Sequence, residues 1–307
     1  MVEYRPMKAV WATNNQDACV FCAGGQLLRL RAANGFSLTE LMVVIAIIAI
    51  MAALMLPTLS KAKQQATAAS CLNNQKQLAS AFHMYTQDNS DRVVQMADYN
   101  TGADIYLAGG YWAGPVTPPS AWTGPEDALS AVQAGLQTSN AFYFYCNTVG
   151  SYHCPGDMRM LNTPTRSNPN GWAYDSYSRT QNLGGDPSDD YWGARATYTK
   201  MSAIPTPGTT FAMLEDADWR GYNVGTWVVN WVEDSFEWQD PPAVSHIDVN
   251  SVAFADAHAE LHRWTDSEVI TAGRGAARGI PELNWNGPTN GPDYQYVFKG
   301  YQFPGHP

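Results

Sequence analysis

Residues 35–57 read GFSLTELMVVIAIIAIMAALMLP, an apolar run as long as a membrane span. From Leu41 to Leu56 there are sixteen unbroken apolar residues, and counted from Phe36 the segment reaches 21. As a helix it spans roughly 30 Å, the thickness of a bilayer's hydrocarbon core. It carries one carboxylate, Glu40. An acid near the membrane centre costs on the order of 3 kcal/mol on insertion scales, so Glu40 needs a partner.

Helical spacing continues beyond the apolar run. Leu59, Ala62, Ala66, Ala69, Leu72, Leu78, Phe82 and Tyr85 recur mostly three or four apart, with Lys, Gln and Asn between them. Pro57 kinks such a helix, because its ring clashes with the preceding turn, but the pattern resumes at once. The expectation is one helix from Phe36 to Asp88, roughly 80 Å long. Residues 36–57 form its transmembrane half and 58–90 its extramembrane half, ended by DNSD at 88–91. From 91 to 307 the composition shifts to Trp, Pro, Gly and turn clusters, with a short helix expected near Pro125 to Gln137. TTFAMLED, TWVVNWVED, NSVAFAD and AHAELHRW are the strand candidates, the last two as a hairpin. The fold class is α+β: one long N-terminal helix packed on an antiparallel sheet with long loops.

Charge narrows the function. The 307-residue chain has net charge −10, and its basic residues are scattered. Nothing in that pattern attracts a phosphate backbone, so no nucleic-acid partner is expected. Arg5, Lys8, Arg29 and Arg31 precede the apolar run, which favours an N-terminus inside the cytoplasm and the bulk of the chain outside it. Cys19 and Cys22 lie before the run, where thiols stay reduced; Cys71, Cys146 and Cys154 lie after it, where they can oxidise. A lone CVFC pair is weak evidence for a metal, and a leader that is discarded accounts for it.

Gly35-Phe36-Ser-Leu-Thr-Glu40 followed by LMVVIAIIAI resembles the processing and methylation motif of type IV pilins and type II secretion pseudopilins. The resemblance implies a pilin-like fold, cleavage after Gly35 by a prepilin peptidase, methylation of the new amine of Phe36, and Glu40 as the assembly contact. It implies residues 1–35 as a leader, Pro57 as the family's helix-kink proline, and other pilin or pseudopilin subunits and an inner-membrane assembly platform as partners. A leader of 35 residues is long for this family, which leaves Met7 or a later residue as an alternative start. The Glu40 carboxylate of one subunit would pair with the Phe36 ammonium of its neighbour; each charge alone is costly in hydrocarbon, and the pair sets the stagger.

CLNNQKQLASAFHMYTQDN at 71–89, CPGD at 154–157, and His246 nine residues before Asp256 resemble a bacterial pseudopilin-like family with a C-terminal H-x9-DG signature. Here Ala257 stands where that signature has glycine. If the position requires positive φ, Ala257 is strained by roughly 1 kcal/mol or another turn forms. CPGD suits a type II turn with Gly156 at positive φ. Cys154 could bridge Cys146 or Cys71, or all three could remain thiols. The family-like motifs hold Cys71 and Cys154, and the resemblance favours that pair.

No catalytic residue is nominated: there is no GxSxG, P-loop or dinucleotide fingerprint, and no nucleophile with a base, so no enzyme activity is expected. No metal or other cofactor is expected either. The residues that would supply ligands if one bound are His258, Glu260 and His262, alternating on one strand face, and Asp186, Asp189 and Asp190 in the acidic loop DPSDD, which like EDAD at 215–218 invites calcium without EF-hand spacing. The bland reading makes Asp256 a turn-capping acid and His246 a histidine bonded to a loop. The functional expectation is a structural subunit of a type II secretion pseudopilus or a type IV pilus-like fibre. The alternative is a membrane-tethered periplasmic or surface module that does not assemble and uses Trp112, Trp122, Trp172, Trp192 and Trp219 as glycan platforms.

Overall fold

The computed structural model describes residues 20–21, 27–28, 36–96, 111–112, 124–157, 159, 175–185, 196–218, 226–280 and 285–306. Gly35, Cys19, Cys22, Asp186, Asp189, Asp190, Trp122, Trp172, Trp192 and Trp219 lie outside them, and of Trp112 only the backbone is described. The chain divides into two units, Met1–Leu59 and Ser60–Pro307.

The first unit holds the start of helix α1, Leu38–Asp88, which runs without a break through Pro57. Proline offers no N–H to the preceding turn. Beside it the Thr58 hydroxyl donates to the Met55 carbonyl at 2.8 Å. Every residue from Phe36 to Leu59 is exposed, and the helix is long and apolar enough to cross a membrane.

In the second unit α1 buries Ala68, Cys71, Gln75, Leu78, Phe82 and Tyr85, spaced three and four apart. This corrects the expected stripe in its first half: Leu59, Ala62, Ala66 and Ala69 are exposed and Leu72 is half-buried. Alanine on every side of that stretch leaves the spacing with no preferred phase, and the buried polar Gln75, donating to the Ser251 carbonyl at 3.2 Å, hides the true one. The helix stops where Ser90 and Asp91 turn to positive φ and the Asp91 N–H closes on the Thr86 carbonyl at 2.8 Å. Helix α2, Pro125–Ser139, stands where the sequence placed it.

Besides four two-residue strands, Val20–Phe21, Leu27–Leu28, Gln95–Met96 and Tyr111–Trp112, the strands are β1 Tyr177–Thr180, β2 Phe211–Glu215, β3 Thr226–Trp227, β4 Val229–Val232, β5 Ser235–Trp238, β6 Val249–Phe254 and β7 Ala259–Arg263. Five form one sheet in the order β7-β6-β2-β1-β3, antiparallel except for the β1–β3 pair. β4 and β5 form a separate hairpin. Along β6, Ala253 joins Leu78, Phe82, Phe142 and Met213 in one core, while Val252 and Phe254 join Trp227, Trp264, Val269 and Val297 in a second. Period-two alternation thus sends the two faces of one strand into two cores. The second is closed by α3, Ser267–Ala276, and α4, Pro292–Gly300, two short helices that the sequence reading did not propose. Tryptophans 227, 231, 238 and 264 fill it, and Phe236 stacks on Tyr294 at 4.3 Å.

β1 escaped the sequence reading because its residues, YSRT, are polar yet wholly buried. The guanidinium of Arg179 donates to the carbonyls of Val94 and Leu183 and lies 5.5 Å over the Phe82 ring. Burial pulls its pKa down to about 9.

The β6–β7 hairpin closes with Ala257 N–H on the Phe254 carbonyl at 3.1 Å and Phe254 N–H on the His258 carbonyl at 2.9 Å. Ala257 takes φ 72°, so it adopts the left-handed conformation itself and the chain forms no substitute turn. CPGD departs from expectation. Its turn closes through Asp157 N–H on the Cys154 carbonyl at 2.9 Å, but Gly156 does not have positive φ, so the turn is not type II. The glycine is required for space: a Cβ there would lie 2.3 Å from Cε1 of His246.

Candidate functional site

In the first unit, Ser37 and Glu40 form a reciprocal cap on α1. The Ser37 N–H donates to Glu40 Oε2 at 2.9 Å, the Ser37 hydroxyl donates to the same oxygen at 2.7 Å, and the Glu40 N–H donates to Ser37 Oγ at 3.2 Å. This is a capping box, S-x-x-E, which satisfies amide donors that a helix start leaves orphaned. Glu40 is thus a helix cap as well as a charge seeking a neighbour, and SLTE at 37–40 is the sequence signature of that cap. Phe36, Leu38 and the apolar side chains that follow stay exposed, presenting an apolar helix surface behind that cap.

In the second unit a buried cluster joins three parts of the fold. Cys71 on α1 and Cys154 in the CPGD turn form a disulfide with Cα atoms 5.2 Å apart, spanning 83 residues of sequence. Cys146 remains a buried thiol, and burial pushes its pKa up. His246, from the loop before β6, places Nε2 3.0 Å from Cys154 Sγ and 3.2 Å from Cys71 Sγ. Glu215, at the end of β2, brings Oε2 to 3.4 Å from the same nitrogen. Its Oε1 accepts from the Ser251 N–H at 3.0 Å and the Ser251 hydroxyl at 2.6 Å. On the far side of the ring, His246 Nδ1 lies 3.1 Å from the Thr67 hydroxyl.

A cavity of about 490 Å³ runs beside this cluster, lined by Cys154, Glu215, Arg159, Asp216 and the exposed Arg274. Arg159 is gripped by Asp157, with Nη2 2.7 Å from Oδ2, and donates to the carbonyls of Asp175, Asp216 and Asp218. Burial raises the Asp157 carboxyl, yet the adjacent Arg159 overcomes it and holds the group below its usual range. Burial pushes Asp175 up to about 8, against the weaker pull of the Tyr177 N–H and of Arg159, which bonds its backbone carbonyl. Asp216 is raised well above its ordinary value by burial and by Asp218 and Asp240.

The residues singled out near the hairpin do not converge. Asp256 Oδ1 accepts from the His258 N–H at 3.1 Å, a turn-capping acid. His258 stacks on Phe254, Glu260 accepts from the Tyr296 hydroxyl at 3.0 Å, and His262 stacks on Tyr296 and lies 3.5 Å from Asp293. His246 and Asp256 make no common contact among the described residues; the histidine belongs to the sulfur cluster instead. EDAD at 215–218 is not a solvated acidic loop: Glu215 is the last residue of β2 and all four residues are buried, and nothing in the sequence joined Glu215 to His246.

Residues 30–56 match the family model described as the prokaryotic N-terminal methylation motif. Together with the long apolar helix, this supports a type IV pilin-like protein anchored in a membrane. No curated protein and no solved structure matched the chain. The layout is likewise pilin-like: a long N-terminal helix and, in Ser60–Pro307, a mostly antiparallel sheet covered on one face by that helix's second half.

Proposed function

We propose that this chain is a structural pilin or pseudopilin subunit, cut after Gly35 by a prepilin peptidase, methylated at Phe36 and assembled into a pseudopilus or pilus-like fibre. The single observation that carries this reading is the methylation-motif match at 30–56, lying on a helix whose side chains from Phe36 to Leu59 are all exposed. An exposed apolar helix of this length has two compatible surroundings, lipid and other such helices. In the precursor the chain spans the inner membrane once, N-terminus in the cytoplasm and residues 60–307 outside. Cleavage then creates an ammonium on Phe36, four residues before Glu40. The carboxylate of one subunit leaves its own cap to meet the amine of the next. The role is mechanical, and the chemistry is performed on the chain by the peptidase and the assembly platform.

The test is the mature N-terminus of the membrane-extracted protein from its native host, read by mass spectrometry. A chain beginning at N-methyl-Phe36 supports the reading. A chain that keeps its leader in a host with an active prepilin peptidase overturns it.

A further inference from the structure

We propose that Cys71, Cys154, His246 and Glu215, with the two sulfurs reduced, form a structural zinc site that fastens α1 to the sheet. The four ligand atoms lie within 4.8 Å of one another and all four residues are buried. Two thiolates, an imidazole and a carboxylate suit Zn²⁺ better than calcium or magnesium, which favour all-oxygen shells. Bond lengths typical of zinc put tetrahedral edges at about 3.4 Å for N–O and about 3.6 Å for N–S. His246 Nε2 already stands 3.4 Å from Glu215 Oε2 and 3.0 and 3.2 Å from the two sulfurs.

The hydrogen bonds argue the same way. The Thr67 hydroxyl gives its one hydrogen to the Gln64 carbonyl at 2.9 Å, so it accepts from His246 Nδ1–H at 3.1 Å. That fixes the tautomer and leaves the Nε2 lone pair facing two sulfurs and a carboxylate oxygen. Among the described residues Glu215 Oε2 receives no hydrogen bond, although it is buried. A lone pair and an unpartnered carboxylate oxygen aimed at one point repel each other; a dication between them satisfies both. Thr67 orients the histidine as outer-shell partners of metal-bound histidines do, and Ser251 does the same for Glu215. The cavity that reaches Cys154 and Glu215 from the exposed Arg274 gives the ion a route. Binding exchanges the two thiol protons for one Zn²⁺, with no change of oxidation state; the disulfide is the oxidised form of the same sulfur pair.

The test uses the full chain in detergent micelles, with Cys19→Ser and Cys22→Ser to remove the other cysteine pair, reduced anaerobically with a phosphine and titrated with Co²⁺. One Co²⁺ per chain is expected, with the visible bands of four-coordinate cobalt and a near-ultraviolet thiolate charge-transfer band, both abolished by added Zn²⁺. His246→Gln and Cys71→Ser are expected to lower the affinity at least about tenfold. Glu215→Gln, which keeps the shape of the side chain, serves as the further variant should either fail to fold, with the same expectation. The unreduced chain is expected to take up none. Absence of one-to-one uptake, or bands and affinity unchanged in His246→Gln and Glu215→Gln, overturns the proposal, as does equal uptake by the unreduced chain.

Discussion

Asp175 offers a test of how charge is distributed in the core. Its side chain is 1% exposed and, among the described residues, accepts a backbone N–H from Tyr177 at 3.2 Å and shares with Asp157 and Asp216 the neighbourhood of the Arg159 guanidinium, which Asp157 already occupies. Its pKa rises to about 8, because burial penalises the charged form; in the unfolded chain an aspartate titrates at roughly 4. Between those values the folded state binds one more proton than the unfolded state, so stability falls as pH rises through this window and is flat in this group's contribution above it. The slope approaches about 1.4 kcal/mol per pH unit. Asp175→Asn removes that slope. Measured by urea denaturation of the full chain in micelles, with tryptophan fluorescence as the probe, the variant should gain about 2 kcal/mol on the wild type between about pH 6 and pH 7.5. Parallel pH profiles for the two proteins would refute the assignment of Asp175 as a buried neutral acid.

Glu40→Gln keeps the capping box, since glutamine serves at that position, but removes the charge that would meet the neighbouring Phe36 ammonium, so fibre yield should fall more than about tenfold. A Gln variant that assembles normally beside a failing Glu40→Ala would show that Glu40 acts as a cap alone. Ala257→Gly relieves about 1–2 kcal/mol of left-handed strain against roughly 1 kcal/mol of lost packing and unfolded-state entropy. A small rise in melting temperature is expected, and a clear fall for Ala257→Val. Gly156→Ala should destabilise by about 1–3 kcal/mol, because its Cβ would strike the immobile ring of His246; an unchanged melting temperature would contradict the contact. Reduction in the presence of a chelator should cost about 2–4 kcal/mol, measured as a shift in the denaturation midpoint, since the Cys71–Cys154 link closes a loop of 83 residues.

The long helix, α2, five of the seven numbered strands and the hairpin turn were legible because each rests on a local signal: an apolar run, a proline at a helix start, alternation, or a turn residue. The phase of α1 after Pro57 was not, because alanine fits either face. β1 was hidden by Ser178, Arg179 and Thr180, whose burial depends on partners far along the chain: Asp216 for Ser178, Val94 for Arg179 and Phe211 for Thr180. The sulfur cluster was half legible. The cysteine motifs and His246 could be singled out, but Glu215 and Thr67 lie 31 and 179 residues from the histidine and meet it only through the sheet register and the helix face.

The position of the Cys71–Cys154 link governs how the folded unit bears force. Tension applied along α1 from its N-terminal side passes Ser60 and reaches Cys71 before it reaches Leu78, Phe82 and Tyr85, the side chains that hold the helix in its core. With the link closed, the load leaves the helix there and enters the turn at Cys154, so the apolar contacts beyond it are sheltered from shear. With the link open, those contacts must peel one helical turn at a time, and the same pull would strip the helix from the sheet.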